Sequence, residues 1–172
     1  MSAPDRGSRT TAATLVPVGD RAASAIYGTI LVTAVIVALS EDPSATASQL
    51  MEAVATTSVV FWLAHVYANF IGHRAELPDS GRSEGIRVAL VRDLPMIQAA
   101  VPPLVALLLG AVGPLSRNHA ITVALVVGVI ELFVWGFLAG RGPGSTFIRS
   151  ASIGLFNCVL GVAIILLKAL IH

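Results

Sequence analysis

Residues 120–138 read Ala-Ile-Thr-Val-Ala-Leu-Val-Val-Gly-Val-Ile-Glu-Leu-Phe-Val-Trp-Gly-Phe-Leu, and Glu131 is the single charge in this run. The hydrocarbon core of a bilayer is about 30 Å thick and takes roughly 20 residues of helix to cross. A stretch of this length and composition is a membrane span, and the acid in its middle is a residue that needs a reason. Four more stretches share its character. Ala22–Leu39 carries no charge, and Ala53–Ile71 holds His65 as its one group titrating near neutrality. Leu94–Val112 contains Gln98 and the pair Pro102-Pro103, and Ala151–Leu167 contains Asn157 and Cys158. Over all 172 residues, 55% are apolar and 12% charged, against about 25% charged in soluble domains; the mean hydropathy is +0.83. The fold class this predicts is all-α: a polytopic bundle of five transmembrane helices with a lipid bilayer as its solvent.

The segments between the spans are rich in helix breakers: Ser40-Glu41-Asp42-Pro43-Ser44, Leu77-Pro78-Asp79-Ser80-Gly81, Gly113-Pro114 and Gly140-Arg141-Gly142-Pro143-Gly144. Residues 1–21, rich in Ser, Thr, Ala and Arg without apolar periodicity, read as a disordered cytoplasmic tail ahead of a transmembrane domain over 22–172. Basic residues are retained on the cytoplasmic side of short loops. Arg6, Arg9, Arg21, Arg74, Arg82, Arg87, Arg92, Arg141 and Arg149 fall on one side of a five-span topology, and Arg117 and Lys168 on the other. That asymmetry predicts a cytoplasmic N-terminus, an outside C-terminus, an outward Glu41-Asp42 turn and residence in the cell's inner (plasma) membrane.

With the spans oriented, depth follows from 1.5 Å per residue. His65 and Glu131 then lie roughly 9 to 11 Å inside the cytoplasmic boundary, and Tyr27, Thr29, Gln98 and Asn157 fall near the same layer. Three helical stripes carry these residues inward: Ser58, Trp62, His65 and Asn69; Ala124, Gly128, Glu131 and Trp135; and Ser150, Gly154, Asn157 and Gly161. An acid inside a span costs a few kcal/mol unless neutralised or paired. Glu131 therefore reads either as a proton- or cation-binding carboxylate with His65 as partner, or as a protonated group hydrogen-bonded across the bundle. The candidate ion or proton site comprises Glu131, His65, Asn157, Tyr27 and Gln98. Pro102 and Pro103 predict a kink or break in the third helix, and Arg92-Asp93 reads as an ordinary interfacial ion pair at its inner mouth ahead of the alternative, a gate.

Several classes are excluded. A net charge of +1 leaves no basic surplus for nucleic acid, and one cysteine, Cys158, supports no internal disulfide or thiolate metal cluster. No Gly-x-Ser-x-Gly elbow, His-Glu-x-x-His helix or phosphate-binding loop is present, so neither an enzyme nor a bound cofactor is expected. Five short helices enclose little polar volume, which points to a homodimer or higher homo-oligomer. Two functions stay open: a small cation or proton-coupled transporter using the Glu131/His65 pair, and a non-transporting scaffold or accessory subunit whose polar layer sets helix packing.

The run Pro95-Met-Ile-Gln-Ala-Ala100, followed by Leu107-Leu-Leu-Gly-Ala-Val-Gly-Pro-Leu115, resembles the third helix of the vacuolar iron transporter family, and the spacing of the two later helices is similar. The resemblance spans about the last 80 residues and implies five helices with a cytosolic N-terminus. Ile26-Tyr27-Gly28 stands where that family has Asn-Asp-Gly, and the second helix holds Trp62, His65 and Tyr67 in place of its Met and Gly-Glu-Tyr. Arg21 with Phe61-Trp62-Leu63-Ala64-His65 resembles the Trp-x-x-His pattern of the lysosomal potassium channel family over about 50 residues.

Overall fold

The computed structural model describes residues 18–73, 82–142 and 144–171, and these form an all-α bundle. In chain order the helices are α1 (Val18–Leu39), α2 (Ala47–His73), α3 (Arg82–Gln98), α4 (Val101–Ala111), α5 (Arg117–Ala139) and α6 (Phe147–Ile171). Among the described residues, four helices are each long and apolar enough to cross a membrane, and α3 with α4 makes a fifth candidate bent by 42°. The polytopic membrane character read from the sequence therefore holds.

The helices start earlier than hydropathy suggests because polar caps, not apolar runs, start them. Ahead of α2, Thr46 and Gln49 form a reciprocal capping box: the Thr46 N–H donates to Gln49 Oε1 at 2.8 Å and the Gln49 N–H to Thr46 Oγ1 at 3.3 Å. Ser116 caps α5 by accepting from the His119 N–H, and Thr146 caps α6 by accepting from the Arg149 N–H. At the N-terminus α1 begins at Val18, so the last residues of the expected tail are helical; residues 1–17 lie outside the described residues.

The third span departs most from expectation. Helix α3 begins at Arg82, so the charged stretch before Leu94 is helical instead of a loop. Ala89, Asp93, Met96 and Ala100 are all buried and recur at the i, i+4, i+7 spacing of one helix face, while Arg87 is exposed and Arg92 half-buried. The chain then breaks at Ala99-Ala100, just ahead of Pro102 and Pro103, which occupy the first turn of α4. Neither proline can donate to the carbonyl four residues back, and each ring would crowd that carbonyl, so a new helix starts where missing donors cost nothing. The predicted break is thus present, one turn upstream of the prolines.

Helix α1 is central, packing most extensively on α5 and α3 and also against α6 and α2. The main apolar core gathers Val32 and Ile36 of α1, Leu50 and Val54 of α2, Ala106 and Leu107 of α4, and Ile121 and Ala124 of α5. All lie toward the end of the bundle that holds the α1–α2 turn. Arg117 ties that end together, its guanidinium donating to the carbonyls of Ala45, Asp42 and Ser40. The opposite half of the bundle carries the polar side chains.

Candidate functional site

The polar half is organised around Asp93 of α3, whose exposure is 0%. Two helices donate to its carboxylate. From α1, Ser24 Oγ donates to Oδ1 at 3.2 Å; from α2, Asn69 Nδ2 donates to Oδ2 at 2.8 Å. His65, one turn from Asn69 on the same face of α2, places Nε2 3.8 Å from Oδ1, an ion-pair separation when the ring is protonated. Tyr27 of α1 stacks on the His65 ring with centroids 5.7 Å apart and planes 21° from parallel. The carboxylate is sealed, whereas the His65 side chain is 39% and Tyr27 44% exposed on the outside of the bundle.

Close backbone approach makes this geometry possible. Gly28, one turn along α1 from Ser24, lies directly against the main chain of Met96 on α3, where a Cβ would overlap the Met96 carbonyl. That contact draws Ser24 within reach of Asp93. Next to Asp93, Arg92 turns the other way and faces Asp20, with Nε to Oδ2 at 4.0 Å. Asp20 and Ser24 are four residues apart on α1, so one stripe engages both neighbours on α3.

The expected pairing of His65 with Glu131 is replaced by His65 with Asp93. Glu131 lies on α5, which makes only slight contact with α2, and its buried Oε2 has no hydrogen-bond partner. Asn157, buried on α6, donates to the Ile153 carbonyl of its own helix and packs into the space left by Gly136 on α5. Gln98, the last residue of α3, is exposed and joins neither group. Of the anticipated residues, then, the structure brings Tyr27 and His65 together and leaves Glu131, Asn157 and Gln98 apart from them. The inward stripes hold on α5 and α6, where Ala124, Gly128, Ser150, Gly154, Asn157 and Gly161 are buried and Glu131 and Trp135 half-buried, and less well on α2, where Ser58 is buried but Trp62, His65 and Asn69 are half-buried.

Asp93 and Ser24 lie outside the anticipated site residues; Asp93 reads from the sequence as interfacial. The helical spacing of Ala89, Asp93, Met96 and Ala100 is the signal that places the acid inward.

Chemically, the arrangement offers a buried carboxylate whose two oxygens each accept a hydrogen bond from a neutral side chain, with an imidazole beside it. Among the described residues, no group of three or more His, Cys, Asp or Glu side chains gathers as a metal site. Comparison with known protein families, curated proteins and solved structures gives no match for this chain.

Proposed function

We propose that this protein is a small-cation or proton-coupled membrane transporter whose binding site is the Asp93 cluster. The observation that carries this reading is a fully buried carboxylate inside the bundle, held from α1 and α2, on the helix that breaks at Ala99-Ala100. Ionisable groups buried among spanning helices mark ion and proton pathways more often than packing, and interrupted helices supply movable joints beside such sites. The apolar core around Ile36, Leu50 and Leu107 fills the other half of the bundle, away from Asp93.

Arginine bias supports a five-span topology in the inner membrane with the N-terminus cytoplasmic, which places the Asp93 half inward. A reporter active only outside the cytoplasm is then silent between α2 and α3 and active at the C-terminus. The resemblance to the vacuolar iron transporter family favours the same topology, and a homo-oligomer remains the expected assembly.

The competing reading is a scaffold whose polar layer fixes helix packing. It is favoured by Asp93 accepting from both α1 and α2, so that its carboxylate joins three helices. Flux in proteoliposomes separates the two. A transporter dissipates an imposed proton or cation gradient, and Asp93→Asn, which retains an acceptor for Ser24 or Asn69, folds yet loses the flux. Wild-type protein that moves neither protons nor cations under any gradient leaves the scaffold reading in place.

A further inference from the structure

We infer that the exposed flank of α2 beside His65 is the contact between two copies of this chain, and that the partner copy's α2 closes the Asp93 cluster from lipid; this rests on the homo-oligomer expected above and not on transport.

Hydrocarbon neither donates nor accepts hydrogen bonds, so polar side chains within a span are covered by protein groups that do. His65 lies eight residues before the end of α2, about 12 Å along the helix, and shares its open flank with Tyr27. One ring nitrogen faces Asp93; the other, Nδ1, and the Tyr27 hydroxyl have no partner among the described residues. Elsewhere the outer surface suits lipid, since α5 and α6 turn Val126, Ile130, Leu155 and Val162 outward. Helix α2 is instead the least apolar and the least buried of the four long spans, with 17% of its spanning stretch buried against 50% for α1. A helix left to lipid would be the most apolar one.

Geometry and chemistry identify the occupant as a second copy. Two copies inserted with one topology are related by a two-fold axis along the membrane normal, so α2 meets α2 in parallel and residues of equal depth face each other. Such a face must be complementary to itself. Tyrosine and neutral histidine each present a donor and an acceptor, so the Tyr27 and His65 layer of one copy can satisfy that of the other. Residues 56–72 hold no Lys, Arg, Asp or Glu that would repel its own image. Thr57, Phe61, Ala64, Ala68 and Ile71 recur at alternating steps of four and three residues, the seam of a left-handed parallel pair. Thr57 is half-buried in the protomer and the other four are exposed. Ala64 and Ala68 let the two backbones approach closely, which brings His65, at the edge of the seam, under the partner.

The test is cysteine cross-linking in proteoliposomes, in a Cys158→Ser background, beside subunit counting by single-molecule photobleaching as the protein is diluted in lipid. Ala64→Cys and Ala68→Cys should each oxidise to a covalent dimer. Leu63→Cys, at the same depth but off the seam, and Val126→Cys, on the outer face of α5, should not. Ala64→Leu combined with Ala68→Leu adds bulk only where the protomer is exposed, so it should fold normally and weaken dimerisation by on the order of tenfold. Dimers that do not cross-link on the seam, that cross-link equally at the two control positions, or that survive the double leucine change overturn the α2 contact and leave the homo-oligomer standing. A single photobleaching step at every lipid ratio removes both. Neither result depends on flux, so the transport reading fails or stands separately, on Asp93→Asn.

Discussion

Replacing Gly28 with alanine tests whether the approach of α1 to α3 builds the Asp93 cluster. A methyl group there overlaps the Met96 carbonyl oxygen and lies 3.0 Å from both the carbonyl carbon and Cα of Met96. All three are main-chain atoms of a helix, so no side chain can swing aside. Carbon atoms sit comfortably at roughly 3.5–4 Å, so relief requires the two helices to part by on the order of 1 Å. One turn away, the 3.2 Å bond from Ser24 to Asp93 would then lie outside hydrogen-bonding range. Overpacking costs about 1–3 kcal/mol, and a lost interhelical hydrogen bond about 0.6 kcal/mol in a membrane. Alanine returns about 0.5–1 kcal/mol of helix propensity. The net loss of about 1–3 kcal/mol corresponds to a melting temperature lower by roughly 2–12 °C for a chain of this size. Thermal unfolding of protein in nanodiscs, followed by tryptophan fluorescence, measures it. Gly72→Ala is the control, because nothing lies within 4 Å of a Cβ built at that position, and it should melt no lower than wild type. If Gly28→Ala also melts at or above wild type, the close-approach argument is wrong.

Three further expectations follow from individual contacts. Glu131→Leu should hold or raise stability, by up to about 1–3 kcal/mol, because it removes a carboxylate whose buried Oε2 has no partner; a lower melting temperature would show that Glu131 is paired in the bilayer. Arg117→Ala should destabilise by about 1–3 kcal/mol, since three carbonyls of the α1–α2 turn lose a charged donor, and hydrogen exchange should accelerate at Leu50, whose N–H bonds to Thr46 just past that turn. In the same turn, the Ser44 hydroxyl and N–H both donate to Asp42 and hold its carboxyl below the ordinary 3.8. Such a group stabilises the folded state above its unfolded pKa, and the contribution is lost as pH falls through the lower folded value. Ser44→Ala should move the Asp42 midpoint up toward 3.8, read by carboxyl NMR; an unmoved midpoint would exclude the hydroxyl as the main cause.

What the sequence by itself determined is the solvent and the element type. Runs such as 120–138 cannot satisfy their backbone in lipid except as helix, and their inward stripes follow from 3.6-residue periodicity alone, which is why Asn157 and Gly128 are buried as expected. A hydropathy window passes over the capping box at Thr46 and Gln49, because it contributes no apolar residues.

Only the tertiary structure decided which polar residues meet. Depth along a helix axis placed His65 and Glu131 in one layer, but depth is a single coordinate. Which neighbour each faces depends on how the helices are arranged around α1. There the glycine contact at Gly28 brings α3 against α1, and the break at Ala99-Ala100 lets α4 pack on α5 while α3 packs on α1 and α2. Asp93 reads as interfacial in the sequence because averaged hydropathy counts its charged neighbours Arg87 and Arg92, whereas the packed helix leaves Arg87 exposed and Arg92 half-buried and turns Asp93 inward. Long-range packing, not local pattern, selects the partner of a buried charge, because the energy of pairing is realised only once two helices are already in contact.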